Sequence, residues 1–299
     1  MSLTNFRPQD GSAPTPVPVT FQTLQEKKQT GKPIAALTAY DYSTARLVDE
    51  AGIDLILVGD SLAQVVLGYD TTLPVTVDEM LHHTRAVRRA VRRAIVAADM
   101  PWGSYHLSVE DGLKSAVRFV KEAGAQAVKI EGGASRVELV ERLSAAEIPV
   151  IGHLGLTPQS VHRMGGYKVQ GRSVAAIGDL LHDAHALESA GAALLVLEGI
   201  PREVAARITA EVGIPTVGIG AGPGCDGQIL VFHDLVNLSF SQPAKFVRQY
   251  GDAASLFRNA IGDFRRDVES HSFPADGESY HLPREVAAAL DRGAPRDKA

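Results

Sequence analysis

Eight short apolar runs recur along the chain at a regular beat, and that beat limits the fold more than any other feature. They cover residues 35–39, 55–59, 95–98, 127–130, 149–152, 193–197, 216–219 and 229–232. Each has the length of a strand, and several are rich in Val and Ile. None alternates apolar with polar residues, so each is expected to be covered on both faces, as in a parallel sheet. Helical patterns fall between most of them, at 43–51, 78–93, 109–123 and 179–190, and three end at Gly52, Gly124 and Gly191. A glycine just past a helix is a C-cap signal. A weak repeat of helix end, glycine and strand start recurs in Glu50-Ala-Gly-Ile-Asp54, Glu122-Ala-Gly-Ala-Gln126 and Ser189-Ala-Gly-Ala-Ala193. Eight strands with interleaved helices predict an α/β fold, a (β/α)8 TIM barrel. Residues 220–227 are too few for a helix between the last two strands, which leaves an open doubly wound sheet as the alternative.

The expected organisation is a flexible N-terminal arm over residues 1–20, one barrel domain over 21–269 and a polar C-terminal tail over 270–299 with a short helix at 283–291. The barrel span includes flanking helices at 21–31 and 252–269. Of the 299 residues, 45% are hydrophobic and 22% charged, enough apolar content for a large core. A formal net charge of −5 gives no electrostatic footprint for nucleic acid. Cys225 is the single cysteine, so no disulfide can close within the chain, which suits the cytoplasm. Residues 1–18 lack the apolar stretch of a signal peptide, and no run is long enough for a membrane span.

In a parallel barrel, chemistry sits at the C-terminal ends of the strands. Those ends read Gly59-Asp60-Ser61, Asp99, Lys129-Ile-Glu131, His153, Glu198 and Gly218-Ile-Gly-Ala-Gly222. A lone acid after a strand commonly caps the next helix. Four acids around one axis would instead repel and resist ionisation, and a divalent cation removes that cost. Hard carboxylate oxygens on Asp60, Asp99 and Glu131 suit Mg²⁺. Lys129 and Glu131, two residues apart, share the interior face. The partner of Lys129 is either a site carboxylate or a bound anionic substrate. His153 is either a satisfied core histidine or a hydrogen-bond partner of a substrate oxygen. Gly218–Gly222 is read as backbone close to a ligand or as a tight turn. The polar, glycine-rich stretch 165–172 is read as a loop over a ligand.

Several blocks together resemble the ketopantoate hydroxymethyltransferase family. They are Thr38-Ala-Tyr-Asp-Tyr42, Val58-Gly-Asp-Ser-Leu62, Gly68-Tyr-Asp-Thr-Thr-Leu-Pro-Val-Thr76, Ala98-Asp-Met-Pro101 and Val128-Lys-Ile-Glu-Gly-Gly133. Next come Gly152-His-Leu-Gly-Leu-Thr-Pro-Gln-Ser160, Gly165-Gly-Tyr-Lys-Val-Gln-Gly-Arg172, Leu197-Glu198 and residues 218–228. In order, they run from Thr38 to about Asp234, a span of roughly two-thirds of the chain; Gly199 and Pro223-Gly-Cys225 depart from the family pattern. The resemblance implies a barrel of the phosphoenolpyruvate/pyruvate-binding type. It also implies one-carbon transfer from 5,10-methylenetetrahydrofolate to 3-methyl-2-oxobutanoate by a homo-oligomer, a decamer. The metal ligands would be Asp60, Asp99 and Glu131. The substrate contacts would be Asp60, Ser61, Asp99 and Lys129, with His153 added from its place at a strand end. The proton acceptor would be Glu198. A metal-dependent lyase or phosphomutase on the same barrel is the rival reading, and it needs a nucleophilic thiol or a phosphate cradle at the mouth.

Overall fold

The computed structural model describes residues 17–293. The chain divides into two compact units, with the boundary between Gly251 and Asp252. In the first unit eight parallel strands close a barrel in sequence order. They are β1 (Ile34–Thr38), β2 (Leu55–Val58), β3 (Ile95–Asp99), β4 (Ala127–Glu131), β5 (Val150–Gly155), β6 (Leu194–Glu198), β7 (Thr216–Ile219) and β8 (Gly227–Leu230). Parallel pairing of β1 with β8 closes the ring and rules out the open sheet. No helix lies between β7 and β8.

Helix α1 (Phe21–Thr30) precedes the barrel. The connections carry α2 (Tyr42–Glu50), α3 (Leu62–Val65), α4 (Val77–Ala90), α5 (Val109–Ala123), α6 (Val137–Ala145), α7 (Val161–Met164), α8 (Val174–Ser189) and α9 (Arg202–Glu211), with α10 (Phe232–Leu235) after β8. Side chains cap the long helices. Asp41 accepts from Thr44 N, Ser108 from Asp111 N and Ser173 from Ala176 N, and Thr76 and Glu79 form a reciprocal box. Helix α8 starts five residues before the pattern predicts, because Ser173 supplies its cap.

The residues pointing into the barrel form a core of their own. Ile34, Ala36, Leu55, Leu57, Ile95, Ala97, Ala127, Ile151, Leu194, Val196, Val217 and Ile229 pack there, small beside large. Val19 and Leu24 join this cluster, so α1 seals the end where the strands begin. Val19 and Thr20, which fall within the expected arm, are held in place. Val19 is 3% exposed and donates its N–H to Arg93 O, and Thr20 caps α1. Residues 1–16 lie outside the described part of the chain, as do 294–299 of the expected tail. A second apolar layer joins the outward faces of the strands to the helices. Emptying either layer is costly; Ile151→Ala would lose ~2–5 kcal/mol.

The second unit contains α11 (Ala253–Glu269) and α12 (Arg284–Gly293). The expected barrel domain, 21–269, runs across the boundary between the units. Helix α11 is amphipathic, and Leu256, Phe257, Ile261 and Phe264 on it are exposed.

Candidate active site

Strand parity brings the chemistry together. The inward positions run Ile95, Ala97, Asp99 on β3 and Ala127, Lys129, Glu131 on β4, then Ile151, His153 on β5 and Leu194, Val196, Glu198 on β6. A step of two residues thus carries each strand from the dry interior to a polar mouth. On β2 the same parity reaches Gly59. A Cβ there would lie 2.8 Å from Ser61 Oγ and 3.6 Å from Asp99 Oδ2, so glycine is what lets Asp60 and Ser61 turn over the barrel end. Gly155, at φ +94°, does the same beneath Glu198, whose carbonyl would be 2.2 Å from a Cβ.

The mouth is a buried charge cluster. Asp60, Asp99, Lys129, Glu131 and His153 are each at most 4% exposed. Lys129 Nζ lies 3.1 Å from Asp99 Oδ1 and 3.8 Å from Glu131 Oε1. His153 Nδ1 is shared, at 3.0 Å from Lys129 Nζ and 3.3 Å from Glu131 Oε1. Unprotonated, it accepts from the lysine; protonated, it answers the carboxylate. Its Nε2 lies 3.1 Å from Glu198 Oε2, off the hydrogen-bond line. Ser61 Oγ lies 2.8 Å from the Tyr40 hydroxyl.

Burial and the neighbouring charges of Asp99 and Glu131 hold the Asp60 carboxyl well above the usual carboxylate range. Burial likewise raises Asp99, with Lys129 pulling against it. Burial acts on Glu131 too, but His153 and Lys129 outweigh it and lower the group. Burial presses Lys129 down, yet Asp99, Glu131 and Asp60 leave it raised. Burial and the Lys129 charge press His153 down; Glu131 and Glu198 outweigh both and bring it up to about 9.

One oxygen of each expected metal ligand is tied off by a protein N–H. Asp99 Oδ2 accepts from Asp60 N, Asp60 Oδ2 from Gln159 Nε2 and Glu131 Oε2 from Gln159 N, each at 2.9 Å. The other oxygens of two of them, Asp99 Oδ1 and Glu131 Oε1, are buried without a hydrogen bond. This hard-oxygen set, with Asp99 Oδ1 and Glu131 Oε1 lacking a hydrogen bond and more negative than positive charge, fits a divalent cation. It is not a closed cage: among the described residues no three His, Cys, Asp or Glu side chains converge tightly enough to hold an ion alone. An octahedral Mg²⁺ takes few protein ligands directly and fills the rest with water or substrate oxygen.

The mouth opens into a cavity of about 900 Å³. Tyr167, Lys168 and Val169 of the 165–172 loop form part of its wall, and Gln170 N binds that loop to Gly199 O at 2.9 Å. Gly220 and Gly222 also line it, but Phe246 and Arg202 pack on them; protein contact alone explains those glycines. Cys225 is absent from the lining, and burial pushes its thiol up. Sequence reasoning assigned no part to Gln159 or Tyr105, although Gln159 stands inside one of the blocks that carry the resemblance.

The closed barrel has the same fold as solved members of the PEP mutase/isocitrate lyase superfamily. A 2,3-dimethylmalate lyase of that superfamily superposes with a TM-score of 0.56 at 17% identity, over 93% of this chain and 94% of that one. Phosphonopyruvate hydrolase, in complex with oxalate and Mg²⁺, gives 0.55 at 16%, over 92% and 96%. The model of the ketopantoate hydroxymethyltransferase family matches residues 18–276, and the chain belongs to that family. The 3-methyl-2-oxobutanoate hydroxymethyltransferase of Koribacter versatilis is 66% identical over 273 residues, 91% of this chain and 92% of that protein. Its counterpart in Geobacter sulfurreducens is 52% identical over 261 residues, 87% and 98%.

Proposed function

We propose that the chain transfers a hydroxymethyl group from 5,10-methylenetetrahydrofolate to 3-methyl-2-oxobutanoate, giving 2-dehydropantoate for pantothenate synthesis. Membership of the family supports the reaction. The observation that carries the chemistry is the trio Asp60, Asp99 and Glu131 gathered at one buried mouth, each with one oxygen tied by a protein N–H.

The C–H beside a ketone is a weak acid, so the reaction needs an electrophile at the ketone and a base at C3. Asp60, Asp99 and Glu131 would hold Mg²⁺ or a similar divalent cation. The chemistry such a cation supplies is Lewis-acid polarisation of the ketone, which stabilises the enolate. Lys129 and Ser61 would receive the substrate carboxylate, the lysine turning part of its charge from Asp99 to the ligand. Glu198, kept off the metal trio and beside His153, would take the C3 proton. The electron pair of that C–H bond becomes the new C–C bond to the methylene carbon, whose two C–N bonds to the folate break; water supplies the hydroxyl oxygen, and the C3 proton and one proton from water end on the two folate nitrogens, which leave as tetrahydrofolate. His153 would steady Glu198 from one side and bind a substrate oxygen when Nε2 turns to it.

The lyase or phosphomutase reading has fold likeness behind it, but Cys225 does not line the mouth, which leaves that reading only a phosphate cradle to rest on. No helix among the described residues is long and apolar enough to cross a membrane. A cytoplasmic homo-oligomer belongs to the same reading, supported by the lone cysteine and the exposed apolar face of α11. The test is turnover of 3-methyl-2-oxobutanoate with the folate donor, before and after exhaustive chelation. Product at wild-type rate after chelation would sink the metal; no product from this ketone would sink the function.

A further inference from the structure

Gln159 lies in the turn Pro158–Ser160 after β5 and reaches two of the three acids at once. Its backbone N–H donates to Glu131 Oε2 at 2.9 Å. Its side-chain Nε2 donates to Asp60 Oδ2 at 2.9 Å and to Met100 O at 3.0 Å. Its Oε1 accepts from the Tyr105 hydroxyl at 2.6 Å, and that hydroxyl accepts from Glu131 N at 3.0 Å. The chain of bonds has one direction. A backbone N–H can only donate, and a carbonyl or carboxylate oxygen can only accept, so hydroxyl and amide each have one allowed orientation. Both side chains are buried, Tyr105 at 2% and Gln159 at 5% exposed. A buried donor or acceptor without a partner is costly, so neither group can swing away without loss.

We propose that Gln159, locked by Tyr105, is the positioning residue that presents Asp60 and Glu131 to a divalent cation. Each carboxylate has two oxygens and rotates about its terminal bond. Gln159 pins one oxygen of each and so fixes where the other points. Glu131 Oε1 is left without a hydrogen bond beside Lys129. Asp60 keeps its second oxygen. Tyr105 couples the two acids by linking the Glu131 backbone to the Gln159 amide. Gln159 does not line the cavity; it would act through its neighbours, as outer partners of metal ligands do. The proposal rests on the metal reading above.

The experiment measures Mn²⁺ affinity directly, by titration followed by electron paramagnetic resonance, for the full chain with and without 3-methyl-2-oxobutanoate. Gln159→Met keeps length and the backbone bond to Glu131 but removes every side-chain bond. It is expected to weaken Mn²⁺ binding ~10–100-fold, the range seen when such outer partners are lost. Tyr105→Phe, a gentler change, is expected to weaken it less, and it carries the test if Gln159→Met fails to fold. Saturating Mg²⁺ is expected to return most activity to Gln159→Met and little to Asp60→Asn, because excess ion restores a loosened site but not a missing ligand. Folded variants with wild-type Mn²⁺ affinity would overturn the positioning role and leave the metal reading standing. A wild-type chain that binds no Mn²⁺ in either condition would overturn both.

Discussion

At the end where the strands begin, Asp54 is buried and surrounded by donors: Lys27 Nζ at 2.5 Å, Ala35 N at 3.0 Å and Arg93 Nη2 at 3.1 Å. Asp226, on the same end, has Lys28 Nζ at 2.9 Å and Thr216 N at 2.8 Å. Asp49 accepts from the amides of Arg92, Arg93 and Ala94. At the mouth, Asp60, Asp99, Glu131 and Glu198 share one lysine and one histidine. The residue types are the same, but the supply of positive charge and N–H groups is not. An acid with a surplus of donors stabilises the fold. Buried acids short of donors destabilise it, and that shortage is the mark of a site that waits for a ligand. The contrast breaks if charge removal has the same consequence at both ends.

The largest effect is expected at Glu198. Glu198→Gln keeps the size and hydrogen-bonding capacity but loses basicity. Binding of the metal and the 2-oxo acid should survive. Deuterium exchange at C3 of 3-methyl-2-oxobutanoate, followed in D₂O without folate, should fall ~10²–10⁴-fold. Exchange near the wild-type rate would move the search for the base to His153.

Asp60→Asn should separate activity from stability. As a lost ligand it is expected to cut metal-dependent turnover on the order of 10²-fold or more. As relief of like-charge crowding it should stabilise the ion-free protein by ~0.5–2 kcal/mol, read as a higher Tm. The asparagine carbonyl can still accept from Gln159. Asp99→Asn should lose turnover equally but gain no Tm, since Asp99 is the nearest anion to Lys129. A lower Tm for Asp60→Asn would mean that the mouth is as well compensated as the other end.

Lys129→Ala tests whether the lysine serves the substrate as well as the carboxylates. Loss of one charge-assisted contact should weaken 2-oxo acid binding ~10–100-fold and leave folate binding near wild type. Unchanged affinity for the oxo acid would make Lys129 a structural ion-pair partner and nothing more.

Much of this mouth was legible because the period of a strand is two. Asp99, Glu131 and Glu198 each end an apolar run, and parity alone puts them on one axis. The barrel was legible from the beat of those runs, but its closing strand was misplaced. Strand β8 starts at Gly227 rather than near 229, where the backbone passes so close to Ile34 that a Cβ would sit 2.4 Å from its carbonyl oxygen. No propensity scale selects a strand that begins on glycine for that reason. Gln159 and Tyr105 were illegible for a different cause. A glutamine in a turn and a tyrosine in a polar loop acquire their roles from partners as distant as residue 60 in the sequence, and the spacing carries none of that. The paired acids at the opposite end were equally silent, since Lys27 and Lys28 meet Asp54 and Asp226 only after the barrel has closed.

The smallest expected effect is at Asp54, and its pH dependence has a definite sign. Burial pushes the carboxyl up, but Lys27, the Ala35 amide and Arg93 together outweigh it and hold the group below its ordinary value. The unfolded chain therefore takes up the proton first as pH falls. Stability from Asp54 is fully present above the unfolded value of about 3.9 and is lost as pH drops through the lower folded value. Lys27 and Arg93 keep partial contact with water, at 23% and 28% exposure, which screens the pair and limits its worth. Asp54→Asn should thus cost ~1–2 kcal/mol at pH 7, from loss of the charge and a mismatched amide facing Arg93. Turnover should stay near wild type, because the change lies at the far end of the strands. The Tm gap between the two proteins is expected to be widest near neutrality and to shrink below about pH 4. A gap that persists at the same size into acid would assign the loss to packing instead of charge. A fall in turnover with no change in Tm would show that the two ends of the barrel are not independent.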